Sequence, residues 1–339
     1  MSNIEISKCW ASIPYKLCCI FLILISSPTS AISLSSPEVV RQGRKLSALV
    51  PSAPLVLQYH KGPLLTGPAS INVYILWYGK FTPSQKATIT DFVSSLGATN
   101  AIPNRQPSVS SWWATTQRYT DSTRKGVSGA VKIGGQASNG LYSLGKNLKR
   151  SQIALLVKGA LAKRLFPLDY RGVYLVLTAA DVYVERFCMN SCGFHDSIPL
   201  SKKSTILFGW VGNSGVQCPG QCAWPFAAPL YGPPTPPLIP PNGDVGVDGM
   251  IINIAAVVAG TATNPFNSGY YQGSALAPEE AVTACSGIFG KGAYPGYAGD
   301  LLVDKRSKAS YNAYGINNRE FLVPGIWEPL QRACKTTVS

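Results

Sequence analysis

The sequence has 339 residues, which is enough for one large domain or two modest ones with a real core. Hydrophobic residues make up 46% and charged residues only 14%, and the 32 glycines and 26 prolines favour a loop-rich globular protein. The formal net charge of +14 indicates an anionic partner. No stretch after the N-terminal region reaches bilayer length, so we expect no transmembrane anchor.

The N-terminal region has the order of a secretory signal peptide. Two lysines precede an apolar run over residues 17–25, and small or turn-forming residues follow the run. The run is too short to span a bilayer comfortably. We therefore expect a signal peptide over residues 1–31 and secretion into the extracellular space. Residues 32–56 are rich in Ser, Pro and Arg, and we expect them to form a flexible arm.

The next part of the chain predicts a strand followed by an amphipathic helix. Residues 70–78 are largely β-branched and aromatic, which is typical of a strand. Thr82 and Gln85 have the spacing of a capping box, and Pro83 between them suits the first helical position. The apolar residues that follow at helical spacing are Ile89, Phe92, Val93 and Leu96.

A basic segment follows over residues 116–171. Residues 120–140 within it predict a loop or irregular strands, and residues 148–165 predict a helix. Outside a cell, such a charge attracts acidic polysaccharide, although a solvated basic face with no ligand is the alternative. We expect the charges to lie largely on one face. The expected polyanion-binding residues are Arg118, Arg124, Lys125, Lys132, Lys146, Lys149, Arg150, Lys158, Lys163 and Arg164.

The middle of the chain predicts a buried sheet and a buried helix. Residues 172–178 and 205–211 are mostly apolar, which is typical of neighbouring strands buried on both faces. Residues 213–245 are rich in Pro and Gly and predict a long ordered loop. Residues 244–262 predict a helix that is apolar nearly all round. This order of elements predicts an α/β fold with a mixed sheet flanked by helices.

The cysteines follow a pattern of two close pairs and two distant single residues. Four thiols at this spacing form either a metal site or disulfides, and the expected oxidising compartment favours disulfides. Structural zinc usually prefers closer or His-containing spacings. Three of the nine cysteines, Cys9, Cys18 and Cys19, leave with the expected signal peptide. The even count of six that remains fits three bridges, for which fifteen connectivities exist. We expect two bridges among the four cysteines of the close pairs and a third between the last two cysteines, in the set Cys188, Cys192, Cys218, Cys222, Cys285 and Cys334.

Long motifs along the chain resemble those of the plant EXORDIUM-like (phosphate-induced protein) family. They include Gln217-Cys-Pro-Gly-Gln-Cys-Ala-Trp-Pro-Phe226, Pro241-Asn-Gly-Asp-Val-Gly-Val-Asp-Gly-Met250 and Gly292-Ala-Tyr-Pro-Gly-Tyr-Ala-Gly299. Further motifs lie at residues 59–66, 76–81, 177–182, 187–193, 263–266 and 269–273. The resemblance covers residues 57–336, which we expect to form one domain.

The resemblance implies a secreted protein of the apoplast or cell wall. The family is linked to brassinosteroid-responsive growth and to carbon or phosphate status, and no established biochemical activity comes with it. Two positions depart from the family pattern. Ala227 stands where the family commonly carries a His after Trp-Pro-Phe. The usual family motif Cys-Gly-Thr-His-Gly appears here as Cys192-Gly-Phe-His195-Asp196. Any role that needs the lost imidazole is therefore in doubt for this chain.

A search for catalytic groups gives few candidates. The chain has two histidines, His60 and His195. A relay of His195 with Ser214, oriented by Asp196, is conceivable, but no Gly-x-Ser-x-Gly elbow is present. A hydrogen-bonded structural role suits His195 better, and a turn role suits Ser214 better.

Carboxylates give the main enzymatic alternative. Asp244 and Asp248 lie four residues apart, and paired carboxylates hydrolyse glycosides. Asp244 is better explained as the N-cap of the buried helix, and Asp248 as a charge that favours the helix dipole. Asp181 and Glu185 are further acidic candidates, and no pair is singled out.

A weaker resemblance links the buried helix and the Thr-Asn-Pro-Phe motif after it to secreted bacterial zincin-type proteins. Aligning the Thr-x-Pro element places Ala256 and Val257 where the first metal ligand and the catalytic Glu stand in that class. A zincin needs imidazole ligands and a general base on this helix, and here both are replaced. The resemblance implies a zincin-like scaffold without its metal.

The sequence thus predicts a secreted, disulfide-stabilised α/β protein without a cofactor or metal. The expected function is growth regulation. The expected partner is an acidic wall polysaccharide such as pectin, or an extracellular protein, and we expect no binding of nucleic acid. The alternative is a carboxylate-dependent cell-wall polysaccharide hydrolase that uses Asp244, Asp248 and His195.

Overall fold

The fold is built on a five-stranded mixed sheet. The computed structural model describes residues 55–98, 105–202, 204–230, 232–233 and 235–338, so the expected signal peptide and most of the expected arm lie outside the described residues. The strands are β1 (Ile71–Tyr78), β2 (Val131–Asn139), β3 (Val173–Thr178), β4 (Gly193–Ser201) and β5 (Ser204–Gly212). Their spatial order is β2-β1-β3-β5-β4, in which β4 is antiparallel to β5 and the other neighbours are parallel.

Helices cover both faces of this sheet. They are α1 (Pro83–Leu96), α2 (Val109–Trp113), α3 (Arg150–Ala162), α4 (Pro219–Cys222) and α5 (Val245–Thr263). Successive side chains of a strand point to opposite faces. Ile75 and Trp77 therefore join the core that contains α1 and α5, whereas Leu76 and Tyr78 join the core that contains α3. The mixed α/β class with flanking helices is confirmed.

Short ladders connect the long loops outside the central sheet. Gln58–Tyr59, Tyr270–Ser274 and Ala277–Glu279 form a three-stranded antiparallel sheet. The two-stranded pairs are Leu302–Val303 with Ser310–Tyr311, Ala313–Tyr314 with Glu320–Phe321, Ile326–Glu328 with Ala333–Lys335, and Asn147–Leu148 with Tyr183–Val184.

The caps of α1 and α5 are those that the sequence predicts. Thr82 Oγ1 accepts a hydrogen bond from Gln85 N at 3.2 Å, and Gln85 Oε1 accepts one from Thr82 N at 3.0 Å, which confirms the capping box. Asp244 Oδ1 accepts from Val247 N at 3.0 Å, so Asp244 is the N-cap of α5. The second oxygen of Asp244 accepts from Gln85 Nε2 at 2.9 Å and ties the two helix N-termini together.

Helix α5 is buried along most of its length. Among the described residues it is the one helix that is long and apolar enough to cross a membrane, but most of it is enclosed by the protein. Small residues let neighbours approach its backbone closely. A Cβ on Gly249 would lie 2.5 Å from the Cβ of Ala223, and one on Gly260 would lie 2.5 Å from Glu280 Oε2. The helix is thus a core element with tightly packed neighbours.

Two strands of the sheet differ from the sequence-based expectation. β2 lies in the stretch predicted as a loop or irregular strands, and β4 lies just after a cysteine pair in a segment for which no strand was predicted. Both are edge strands with mostly exposed or half-buried residues, so their sequences need little apolar content. Gly134 in β2 faces the ring of Tyr74 closely and marks an irregular register, which further weakens the strand pattern.

The packing of α1 predicts a large effect of shortening one side chain. Phe92 is fully buried and meets Phe321 edge to face at 5.3 Å between ring centroids. We expect Phe92→Ala to lower the free energy of unfolding by about 3–5 kcal/mol, because the change removes apolar burial and leaves a cavity. Urea unfolding of the wild type and the variant measures this difference in the free energy of unfolding. The exposed Ser84→Ala on the same helix is the control and is expected to stay within about 0.5 kcal/mol; equal effects of the two changes would contradict the packing described.

Candidate functional site

An open groove brings together two of the long sequence motifs. It has a volume of about 560 Å³, and it is lined by Gln221 and Trp224 from the first motif and by Tyr294 and Pro295 from the second. Most of the lining is apolar, with Leu230 on one side. Concave surfaces with aromatic walls and a few polar groups are typical ligand sites. We therefore take this groove as the candidate binding site.

Two disulfides fix the first wall of the groove. Cys188–Cys218 and Cys192–Cys222 join the loop before β4 to the two ends of α4. Helix α4 has four residues, too few to be stable alone. Asn253 of α5 adds a hydrogen bond from its side-chain amide to Cys222 O at 2.8 Å. Trp224, directly after α4, is thus held in place by covalent bonds and by the core helix.

The second wall is a tight turn that carries the second motif. Tyr294 and Tyr297 exchange backbone hydrogen bonds at 2.8 and 3.0 Å, and their rings lie 5.2 Å apart. Gly299 has φ +96° and its backbone touches that of Gly290, so the turn closes only with a glycine there. Tyr294 is 64% exposed, and its ring is available to a ligand.

Two further depressions lie beside the groove, and each shares lining residues with its neighbour. The second, of about 380 Å³, shares Ile288 and Ala293 with the first, and the third, of about 400 Å³, shares Thr336 with the second. The third disulfide, Cys285–Cys334, lies beside them, and Cys334 lines the second depression. The six cysteines therefore form three disulfides, in agreement with the expected bridges. One of them lines a depression through Cys334, and the other two hold the segment that carries Gln221 and Trp224.

The groove system has an uneven charge distribution. Among the described residues that line the three depressions, none is Asp or Glu, and the charged ones are Lys291 and Lys335. Glycoside hydrolysis needs two carboxyl groups that flank the scissile bond. The described lining provides neither of them.

The candidate catalytic carboxylates lie elsewhere and have structural partners. Asp244 caps α5 as described above. Asp248 is 2% exposed and accepts hydrogen bonds from the backbone N and the side-chain amide of Asn242, at 2.9 and 2.7 Å. Burial raises the pKa of Asp248 from 3.8 to about 7, against the lowering effect of these hydrogen bonds. Asp181 is bound by Tyr142 and Lys146, and Glu185 accepts from Arg150 N.

His195 belongs to a buried polar cluster under α5. Its Nε2 lies 2.8 Å from Glu280 Oε2, and Glu280 Oε1 also accepts from the side-chain amide of Asn264 at 2.7 Å. Gly260 leaves room for this pair, since a Cβ there would meet both side chains. Burial alone would lower the pKa of His195, but the charge and hydrogen bond of Glu280 outweigh it and raise the pKa above 6.5.

The relay considered for His195 is not formed. His195 Nε2 is engaged by Glu280, and the Oγ of buried Ser214 has no hydrogen-bond partner in the described part of the chain. Asp196 accepts from Ser197 N at 2.7 Å and is exposed. The sequence search missed Glu280 as the partner of His195, because 85 residues separate them and no local pattern joins them.

The basic segment is divided between the two sides of the sheet. Tyr119 and Val127, next to Arg118, Arg124 and Lys125, are buried in the core that contains α1 and α5. Leu148, Ile153 and Leu156, next to Lys149, Arg150 and Lys158, are buried in the core that contains α3. These apolar neighbours thus belong to both cores, and Lys132 lies on the edge strand β2. The expectation that the charges lie largely on one face stays a prediction.

Some of these charges also have partners. Lys146 forms an ion pair with Asp181 at 2.6 Å, and the guanidinium of Arg150 lies 3.9 Å from the ring centroid of Phe194. Arg118 Nε lies 3.9 Å from Glu328 Oε1. Lys158, Lys163 and Arg164 form the exposed or half-exposed basic part of α3 and its C-terminal end. Polyanion binding by the whole set stays a prediction.

No candidate metal centre is present in the described residues, since none of their His, Cys, Asp and Glu side chains cluster in groups of three or more that could hold a metal ion. Helix α5 carries Ala256 and Val257 at the positions aligned with zincin ligands. No solved structure matches the chain. The zincin-like scaffold is therefore not confirmed.

The fold and the groove define a disulfide-stabilised α/β protein with an open, aromatic-lined groove. The chain belongs to the family described as "Phosphate-induced protein 1 conserved region", whose model matches residues 57–337. It is 50% identical to Protein EXORDIUM-like 2 of Arabidopsis thaliana over 87% of this chain and 94% of the relative. It is 50% identical to Protein PHOSPHATE-INDUCED 1 of Nicotiana tabacum over 90% and 96%, respectively. Protein EXORDIUM of Arabidopsis thaliana is 48% identical over 90% and 96%. The family resemblance read from the motifs is confirmed.

The His195–Glu280 pair predicts a pH dependence of stability. A histidine whose folded pKa is raised stabilises the fold fully below its unfolded pKa of 6.5, and this contribution is lost as pH rises through the folded pKa. We expect His195→Gln to remove that part of the pH dependence. Urea unfolding of both proteins between about pH 5 and 9 measures the difference. The stability gap between wild type and variant should narrow as pH rises; a gap that is constant with pH would contradict the assignment.

Proposed function

We propose that this protein is an extracellular binding component of plant growth control, which holds a cell-wall polysaccharide in the aromatic groove without cleaving it. The observation that carries the proposal is the groove itself. It is lined by Trp224 and Tyr294 and has two further depressions beside it, and its described lining contains no carboxylate.

The aromatic lining favours a sugar chain. The C–H face of a sugar ring packs against the flat apolar face of Trp or Tyr, while the ring's hydroxyl groups stay in contact with water and polar neighbours. An open groove of connected depressions suits a linear polymer better than a small enclosed ligand. Gln221 and Ser286 line the same groove and offer hydrogen-bonding groups at its edge.

Extracellular location is part of the proposal, and two observations support it. The described residues contain three disulfides, and such bonds persist in oxidising compartments. The N-terminal residues 1–31 have the order of a signal peptide. The link to growth and nutrient status rests on family membership and on relatives named EXORDIUM and PHOSPHATE-INDUCED 1. A role in the brassinosteroid response, and an extracellular protein as a second partner, follow only from the family resemblance.

The groove variants test this function. We expect Tyr294→Ala to weaken binding of a wall oligosaccharide by roughly tenfold, because one exposed stacking ring contributes about 1 kcal/mol or more. Trp224→Phe keeps an apolar ring and should lose less than Trp224→Ala. Tyr170→Ala removes a 51% exposed tyrosine outside the groove lining and is the matched control.

A glycan array followed by calorimetry on the selected ligand gives the measurement. Intact ligand after long incubation is expected, since the described groove lining lacks the two carboxyl groups of a glycosidase. Release of new reducing ends that depends on Asp244 or Asp248 would overturn the non-catalytic function. Equal affinity of the Tyr294 variant and the Tyr170 control would overturn the groove as the site.

A further inference from the structure

Two lysines give the far part of the groove system a charge that is not neutralised within the protein. Lys291 lines the second depression and Lys335 the third. Both are exposed, and no carboxylate of the described residues lies within 4.0 Å of either ammonium group. Elsewhere, Lys146 is paired with Asp181 and Arg319 with Asp91 at 2.6 Å each. The groove lysines are therefore available to a ligand.

The positions of both lysines are fixed by their backbones. Lys335 follows Cys334, which is bonded to Cys285, and its backbone pairs with Ile326 in a short ladder. Lys291 precedes the Tyr294 turn, and its carbonyl accepts from Asp300 N at 2.9 Å. The carboxylate of Asp300 accepts from Tyr297 Oη at 2.6 Å instead of pairing with the lysine. Both ammonium groups thus start from ordered backbone and border the same connected depressions.

We infer that the groove selects a polysaccharide whose sugar rings carry carboxylates, with Trp224 and Tyr294 stacking on rings and Lys291 and Lys335 binding uronate groups. This inference rests on the proposed function and names its ligand class. It also places acid recognition in the groove and not in the basic segment of α3. A uronate polymer matches both ends of the groove system, since it supplies apolar ring faces and a carboxylate on each ring.

The absence of acidic residues from the described lining favours an acidic polysaccharide over a neutral one. A carboxylate-bearing chain meets no like charge among the described residues of the three depressions, and both charged groups there attract it. Thr336 and the backbone around Gly290 and Gly292 also line the second depression and offer neutral hydrogen-bonding groups. A neutral polymer of the same length keeps the ring contacts but loses the two ion pairs.

The test compares two forms of one oligosaccharide, in which the carboxyl groups are either free and charged or methyl-esterified and neutral. Oligogalacturonate of one fixed length and its fully methyl-esterified form are titrated into the full-length secreted protein by calorimetry. We expect the acidic form to bind roughly tenfold more tightly, through two partly exposed ion pairs. Raising the salt concentration should reduce this preference, because the Debye length shortens from about 10 Å at 0.1 M to about 3 Å at 1 M.

Lysine variants locate the source of the preference. Lys291→Gln combined with Lys335→Gln should abolish the preference while the neutral form still binds, and Lys291→Arg with Lys335→Arg should retain it. Lys158→Gln on α3, combined with Lys163→Gln at its C-cap, is the matched control with the same loss of charge. Dextran sulfate is a further probe. It should displace labelled oligogalacturonate less effectively than unlabelled oligogalacturonate does.

Each outcome decides between the two proposals. No binding of either form to the wild type, with other wall glycans also failing, overturns the proposed function and this inference with it. Equal binding of both forms overturns the inference alone. The inference is also overturned if the preference for the acidic form is lost in the Lys158/Lys163 variant and kept in the Lys291/Lys335 variant. Displacement of oligogalacturonate by dextran sulfate as effective as that by oligogalacturonate itself overturns it too.

Discussion

Three disulfides set the geometry on which the candidate site depends. The groove walls lie in loops with few ladder hydrogen bonds, and long loops of this kind lose much conformational entropy on ordering. Cys188–Cys218 and Cys192–Cys222 fasten both ends of a four-residue helix to the loop before β4, and Cys285–Cys334 fastens the opposite side. Each cross-link limits the unfolded chain and so reduces the entropy lost on folding, by about 2–4 kcal/mol in typical cases.

The central sheet forms the core of the molecule, and the loops held by disulfides carry the candidate site. Strands β1, β3 and β5 are buried on both faces and form a core with α1, α3 and α5. Two of the groups that were candidates for catalysis are buried in this core and have partners within it. His195 is paired with Glu280, and Asp248 with Asn242. The surface that can meet a ligand therefore lies in the loops, as is common for rigid α/β scaffolds.

The buried elements follow from the sequence because their signals are local. The apolar runs of β3 and β5, the capping box of α1 and the N-cap Asp244 of α5 each depend on residues within a few positions of one another. Edge strands such as β2 need no strong apolar pattern, because one side of them faces solvent. Its Gly-rich sequence therefore resembles a loop.

The site was less accessible to sequence reasoning because its parts meet only in three dimensions. Trp224 and Tyr294 are distant in the chain, and each looks like an ordinary aromatic residue in a Pro- and Gly-rich loop. A search for catalytic groups passes over both. The aromatic residues within the two long motifs were the available signal. The basic residues are spread along residues 116–171, and their sequence does not show that their apolar neighbours belong to two different cores.

Helix α5 has a consequence for the proposed export of the chain. Its 19 residues, Val245–Thr263, are long enough to cross a bilayer when they are not covered by the rest of the protein. A chain exported as proposed passes this helix through a translocation channel, which diverts sufficiently apolar segments into the lipid. A carboxyl group opposes this diversion by up to about 3 kcal/mol, depending on its depth. In the proposed export, Asp248 in the first turn of α5 would oppose this diversion, and the same Asp248 is enclosed once the sheet and helices have packed.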